Sequence, residues 1–214
     1  MSDVERPESL SNRLRNRRFR HFENLCSRLP RPLSILDIGG TAEFWEQRGW
    51  ADRQDIQITL LNLFPASRIH GRVLSVVGDA TDLSGFPDQS VDIVFSNSVI
   101  EHLFDREHQK RMANEVVRVG RDYWLQTPNR WFPMEPHFQV PLWQFLPRSL
   151  RVRILMKRQC GRRGPCGTRE EAERLIDEVS ILTRGELEAF FPDALIVPER
   201  LGGLVKSWIV HSRF

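Results

Sequence analysis

Four polar positions recur at near-regular intervals in the first half of the chain: Asp37, Asn62, Asp79 and the pair Ser96-Asn97. The steps from Asp37 to Asn62, Asp79 and Asn97 are 25, 17 and 18 residues, each about one strand plus one helix. Side chains of these types accept and donate hydrogen bonds to the hydroxyls and amines of a polar ligand. Gly39-Gly40 follows the first of them, and such a turn lets a ligand come close to the backbone. Taken singly, each carboxylate reads equally well as a turn cap; the ordered set points to one shared crevice. A second group follows. His102 stands next to Glu101, and the run Thr127 to Phe138 combines prolines, aromatic rings and a few polar tips. That run has the composition of a preformed pocket, with Asn129, Arg130, Trp131 and Glu135 expected to contact a bound reactant. His137 is expected to take a proton from a hydroxyl or amine, with His102 the next candidate. The plain alternative is an ordered loop whose His and Glu bond to the backbone.

The elements that must hold these residues are legible from periodicity. Residues 1–9 read as a loose tail. Residues 10–30 hold a helix with Leu14, Phe22, Leu25 and Leu29 near helical spacing, stopped by Pro30 and Pro32. Short apolar runs at 33–38, 57–63, 72–77, 91–95 and 122–126 predict five buried strands. Helices are expected at 42–49 and 106–119, and Thr183 with Glu186 forms a capping box opening another. The last twenty residues read as two strands joined through Gly202-Gly203. The resulting fold class is α/β: a Rossmann-like open sheet, mostly parallel, with one antiparallel strand near the C-terminus and helices on both faces. Residues 131–182 are expected as a lid-like insertion after strand five, within one domain spanning 1–214, over the edge where such sheets bind ligands.

Composition narrows the class. A chain of 214 residues, 40% hydrophobic and 28% charged, is ordinary globular chemistry. Three cysteines are too few for a disulfide framework, and the first residues lack a signal-peptide core, so a cytoplasmic location is expected. The net charge of +3 is unevenly spread. Arg13 to Arg31 holds seven arginines against one acid, and residues 147–169 hold eight basic residues and no acid. Few apolar anchors are expected in 148–169, and the segment 131–169 is expected to be the most mobile part of the free protein. A solvated surface is the plain reading of these charges. An acidic small substrate is a second reading, and a peripheral membrane contact through Leu142, Trp143, Phe145, Leu146 and Leu150 a third, less favoured one. No nucleic-acid-binding module is apparent.

With these motifs in place, the sequence resembles the class I S-adenosylmethionine-dependent methyltransferases, and most closely the small bacterial type 11 group, over about residues 20–128 and 183–214. ILDIGGTAEFW resembles the first family motif, with Thr41 where a glycine is usual. The resemblance implies S-adenosylmethionine as cofactor, bound by Asp37, Gly39, Gly40 and Thr41 at the first strand end. Asn62 and Leu63 would meet the ribose, with Asn62 in place of the usual acid. Asp79 would accept from the adenine amine and the Ala80 amide reach a ring nitrogen, while Ser96 and Asn97 would line the methionine part. In some quinone-pathway methyltransferases that it is similar to, the Glu101-His102 pair belongs to a metal cluster with a further Glu three residues earlier; here that position is Ser98, so no metal is expected.

The expected activity is methyl transfer to an oxygen or nitrogen of a small metabolite or natural-product intermediate. The alternative is a non-catalytic S-adenosylmethionine-binding or scaffold protein on the same fold. A nicotinamide-dependent dehydrogenase is disfavoured, because Gly39-Gly40-Thr41-Ala42-Glu43-Phe44 does not supply the Gly-x-Gly-x-x-Gly turn.

Overall fold

The computed structural model describes residues 10–69 and 71–214. The tail expected at 1–9 lies outside the described residues. Seven strands form one sheet: β1 (Leu33–Ile38), β2 (Ile56–Asn62), β3 (Val73–Val77), β4 (Val91–Asn97), β5 (Gly120–Pro128), β6 (Leu195–Leu201) and β7 (Leu204–His211). Their order is β3-β2-β1-β4-β5-β7-β6. β1 to β5 run parallel, and β7 pairs antiparallel with β5 on one side and β6 on the other. One reversed strand near the C-terminus is therefore what the sequence predicts and what the sheet contains. The order reverses between β1 and β4, and ligand crevices form at such switch points.

Side chains alternate across each strand and build two cores. Leu33 and Ile35 of β1, Ile58 of β2 and Phe95 of β4 face one layer with α1 (Leu10–Cys26) and α2 (Ala42–Glu46). Leu36 and Ile38, Leu61 and Val94 face the other, with α3 (Arg106–Val119) and α6 (Arg184–Phe190). Helix α1 ends at Cys26, short of the expected boundary. The amides of Arg28 and Leu29 bond back three residues, tightening the chain into a turn before Pro30. Its Phe19, absent from the expected apolar stripe, packs edge-on against Trp45 and Trp50. The Thr183–Glu186 capping box is formed as expected. β5 is longer than its apolar run suggests, because β4 holds it as far as Gln126 on one side and β7 as far as Pro128 on the other. Among the described residues, no helix is long and apolar enough to cross a membrane.

The insertion departs from expectation. It contains α4 (Arg148–Lys157) and α5 (Arg169–Asp177) and has a core of its own. Val152, Leu155, Cys160 and Cys166 are all buried there, so 148–169 does not lack apolar anchors. The sequence reading failed because two of these anchors are cysteines inside a Gly-Arg turn, which behave as small hydrophobes once buried. Trp143, which the less favoured membrane-contact reading would put on the surface, is 2% exposed and stacks on Phe138 at 4.4 Å. The basic stretch is matched by the acids of α5 and its C-terminal turn: Arg148 pairs with Asp177, Arg169 with Glu173 and Arg163 with Glu178.

Candidate active site

The carboxyl ends of β1, β2 and β3 open on one groove of about 700 Å³. Gly39, Gly40 and Thr41 form its floor beside β1; Asn62 and Leu63 follow β2; Asp79 and Ala80 follow β3. Seven of the ten expected cofactor-binding residues thus line one cavity.

The glycine turn has two separate reasons for its residues. Gly39 has φ +73°, a left-handed backbone that side chains disfavour, and a methyl there would strike Val99. A methyl at Gly40 would fall on the Asp37 carboxylate. Thr41 then caps α2, its hydroxyl accepting from the Phe44 amide at 3.4 Å, so the residue that replaces the usual glycine starts the helix. Asn62 donates from Nδ2 to the Gly40 carbonyl at 3.1 Å, which ties the second strand end to the turn and leaves its carbonyl oxygen as the acceptor end. Asp79 accepts from the amide and hydroxyl of Thr81 on Oδ1, each at 2.8 Å, in an Asx turn that fixes the carboxylate at the rim.

Asp37, Ser96 and Asn97 lie off the groove. Asp37 sits on the face of β1 that meets α2. It is 1% exposed and accepts from the Trp45 indole at 2.7 Å. Burial pushes its carboxyl up to about 8, with the Trp45 bond offsetting only part of that. It supports the turn from below. Ser96 is buried within β4. Asn97 accepts from Arg18 of α1 at 2.7 Å, and the same guanidinium holds Gln126 and Glu199.

Residues with no periodic signal complete the walls. Phe64 is 76% and Phe104 77% exposed, and both line the groove together with Leu103. Bulky aromatic side chains in the loops that follow β2 and β4 are the signal that would have found Phe64 and Phe104: both are exposed in the protein and flat enough to cover a heterocycle.

On the acceptor side the structure separates the expected residues. Asn129 is buried and committed to the backbone, donating to the Val205 carbonyl and accepting from the Trp131 amide. Arg130 is exposed, and Trp131, also exposed, stacks on Phe145 at 5.5 Å. None of the three reaches the groove. Glu135 and His137 do converge on a second feature. Glu135 is 1% exposed, and its Oε1 lies 2.6 Å from Nδ1 of His137. The His137 ring stands perpendicular to that of His102, centroids 4.7 Å apart. His102, in a single 3-10 turn Ile100–His102 after β4, lines the groove. Partial desolvation at the groove wall and the neighbouring His137 lower its imidazole below the ordinary value, although part of the ring faces solvent. Glu101 is fully buried; it accepts from the Thr127 hydroxyl at 3.0 Å, and burial pushes its carboxyl up to about 7.

Comparison with known proteins agrees with this geometry. Residues 39–122 match the family model described as "Methyltransferase domain". Uncharacterized proteins from two strains of Mycobacterium tuberculosis, CDC 1551 / Oshkosh and H37Rv, are 34% identical over 77 residues, which is 36% of this chain and 26% of each relative. The matched segment thus spans about a quarter of their length. Among solved structures, a S-adenosylmethionine-dependent methyltransferase from Methanosarcina mazei superposes with a TM-score of 0.53 at 17% identity, covering 90% of this chain and 96% of that one. The N-methyltransferase NodS from Bradyrhizobium japonicum, solved with S-adenosyl-L-homocysteine, gives 0.56 at 10% identity, covering 99% and 91%. At these identities the likeness is one of fold. The matched segment runs from the glycine turn through β4 to the start of β5, the part of the sheet that builds the groove, so over these residues the chain is similar to the methyltransferase-domain family, on a fold that it shares with S-adenosylmethionine-dependent methyltransferases.

Proposed function

We propose that the chain binds S-adenosylmethionine in the 700 Å³ groove and transfers its methyl group to an oxygen or nitrogen of a small acceptor. The observation that carries the reading is the convergence of the Gly39-Gly40 turn, Asn62 and Asp79 on one cavity. A turn with no room for a side chain at either glycine fits the amino-acid end of the cofactor against the backbone. The Asn62 carbonyl oxygen accepts from a ribose hydroxyl. It offers one acceptor atom where a carboxylate offers two, so the ribose is held by fewer bonds. The free oxygen of Asp79 accepts from the adenine amine, and Phe64, Leu103 and Phe104 cover the ring.

The cofactor supplies an activated methyl: the acceptor lone pair forms the new bond to carbon, the carbon–sulfur bond breaks, and the sulfonium leaves as a neutral thioether. The protein's share is alignment of the acceptor with that bond and disposal of the acceptor's proton. Glu101, His102 and His137 form a cluster of ionisable groups that reaches the groove through His102, and we assign acceptor activation to them. Glu135 acts through His137 by fixing its tautomer and direction. Arg148, Arg163 and Arg169 are spent in ion pairs within the insertion, which removes them as an argument for an acidic acceptor.

The test is turnover. Methyl-labelled S-adenosylmethionine is incubated with the chain and a panel of phenols, catechols and primary amines, and S-adenosylhomocysteine release is followed. Acceptor-dependent release supports the reading. Tight cofactor binding without release for any nucleophile favours the alternative, a cofactor-binding protein with no transfer activity.

A further inference from the structure

Glu101, His102 and His137 each offer a ligand atom, and these atoms all lie within 4.8 Å of one another. Two come from the turn after β4 and the third from the insertion, 35 residues beyond His102. Three further observations point the same way. First, Oε1 of Glu101 is buried with no hydrogen-bond partner, although Oε2 is satisfied by Thr127. A buried carboxylate oxygen left unpaired is costly, and a cation removes that cost. Second, Nδ1 of His137 lies 2.6 Å from the Glu135 carboxylate, a group that is itself buried. Third, Nδ1 of His102 faces the Glu178 carbonyl at 3.3 Å. An imidazole whose Nδ1–H is held by a carboxylate or a carbonyl presents Nε2 as a lone-pair donor. Such outer partners are the usual companions of metal-ligating histidine.

We propose that Glu101, His102 and His137 bind one divalent transition-metal ion of the zinc type at the wall of the groove. Two imidazoles and one carboxylate are the donor set of open, catalytic zinc sites, in which water or a substrate oxygen takes the fourth position. Magnesium and calcium prefer oxygen ligands and are disfavoured by the two nitrogens. Donors about 2.1 Å from a tetrahedral ion stand roughly 3.4 Å apart, so binding draws the three groups together by about an ångström. The solvent-facing His102 provides that freedom. The sequence argued against a metal because Ser98 occupies the place of a third carboxylate; the folded chain brings in His137 instead. The site stands on these residues alone. Its role rests on the methyltransferase reading: an acceptor hydroxyl in the fourth position would lose its proton more readily to water and meet the methyl as an oxyanion.

The test uses the full chain without a histidine tag, stripped with a chelator and then titrated calorimetrically with Zn²⁺, with Co²⁺ absorption as an independent probe. The expected result is one ion per chain, visible cobalt bands of a four-coordinate nitrogen–oxygen site, and no comparable response to Mg²⁺. His137→Gln and Glu101→Gln abolish both signals, and Glu135→Gln weakens Zn²⁺ by about 10–100-fold with the ligands intact. Circular dichroism and S-adenosylhomocysteine binding confirm that each variant is folded. Absence of Zn²⁺ uptake by the wild-type chain, or uptake unchanged in the His137 and Glu101 variants, overturns the proposal. Zn²⁺ failing while S-adenosylhomocysteine binds removes the metal and leaves the methyltransferase reading. The reverse outcome keeps the metal and removes that reading.

Discussion

Replacing Asp37 with Asn is expected to stabilise the ligand-free protein at high pH and to flatten its pH–stability profile. Asp37 is fully enclosed between β1 and α2, and its partner is a neutral indole N–H rather than a cation. Its carboxyl is held near 8 against 3.8 in the unfolded chain. Between those values the folded state keeps a proton that the unfolded state releases, so stability falls as pH rises from about 4 to 8. At about 1.4 kcal/mol per pKa unit the full loss is of order 5 kcal/mol. Asparagine has the shape of the neutral acid, can still accept from Trp45 Nε1, and cannot ionise. Urea unfolding of both proteins at pH 5 and pH 8 measures the difference. The variant should be about 1–2 kcal/mol more stable than wild type at pH 5 and about 5 kcal/mol more stable at pH 8. Glu101, pushed up to about 7 by burial, contributes a decline of the same sign to both proteins and cancels in the comparison. Parallel pH profiles for the two chains would refute the reasoning, because Asp37 would then titrate alike in both states.

Three further outcomes are expected. Asp79→Ala weakens S-adenosylhomocysteine binding by about 1–3 kcal/mol, roughly 5- to 150-fold in Kd by calorimetry, while leaving the fold intact, since the residue sits in an exposed strand-end turn. Arg18→Ala costs about 3–5 kcal/mol in denaturant unfolding. It leaves the buried Glu199 without its salt bridge and removes the shared donor of Asn97 and Gln126. In hydrogen exchange of the free protein, the amides of α4 and α5 around Val152, Leu155, Ala172 and Ile176 are protected as a unit, because they cover a core of their own. The segment around the exposed Trp131 exchanges faster.

The sheet was readable because each of β1 to β5 carries an apolar run ended by Gly, Pro, Asp or Asn, and the spacing of the first four of those ends placed the crevice. Thr41, Asn62, Asp79 and the two glycines were readable for the same reason. Asp37, Ser96 and Asn97 were misplaced by a matter of direction. The residue at a strand end belongs to one face or the other by the two-residue alternation, and Asp37 shares the face of Leu33 and Ile35, where α2 brings Trp45. Asn97 was drawn away by Arg18, a partner from the first helix 79 residues earlier. Such partners are long-range, and no local pattern announces them. The insertion was misread because its core is built from Phe138, Trp143, two cysteines and short helices whose apolar positions are sparse. The grouping of His137 with Glu101 and His102 depends on how that insertion folds back on the β4 turn. The bond from the Ser180 amide to the Glu101 carbonyl helps to set that contact, and spacing along the chain does not reveal it.

The central claim is that the groove at the ends of β1, β2 and β3 is a S-adenosylmethionine site. Isothermal titration of the chain with S-adenosylmethionine, S-adenosylhomocysteine and NAD tests it most directly. The account predicts saturable binding of the first two, one per chain, and no heat from NAD, because the turn after β1 lacks the dinucleotide glycines. Binding of NAD with no signal from either S-adenosyl ligand would contradict it.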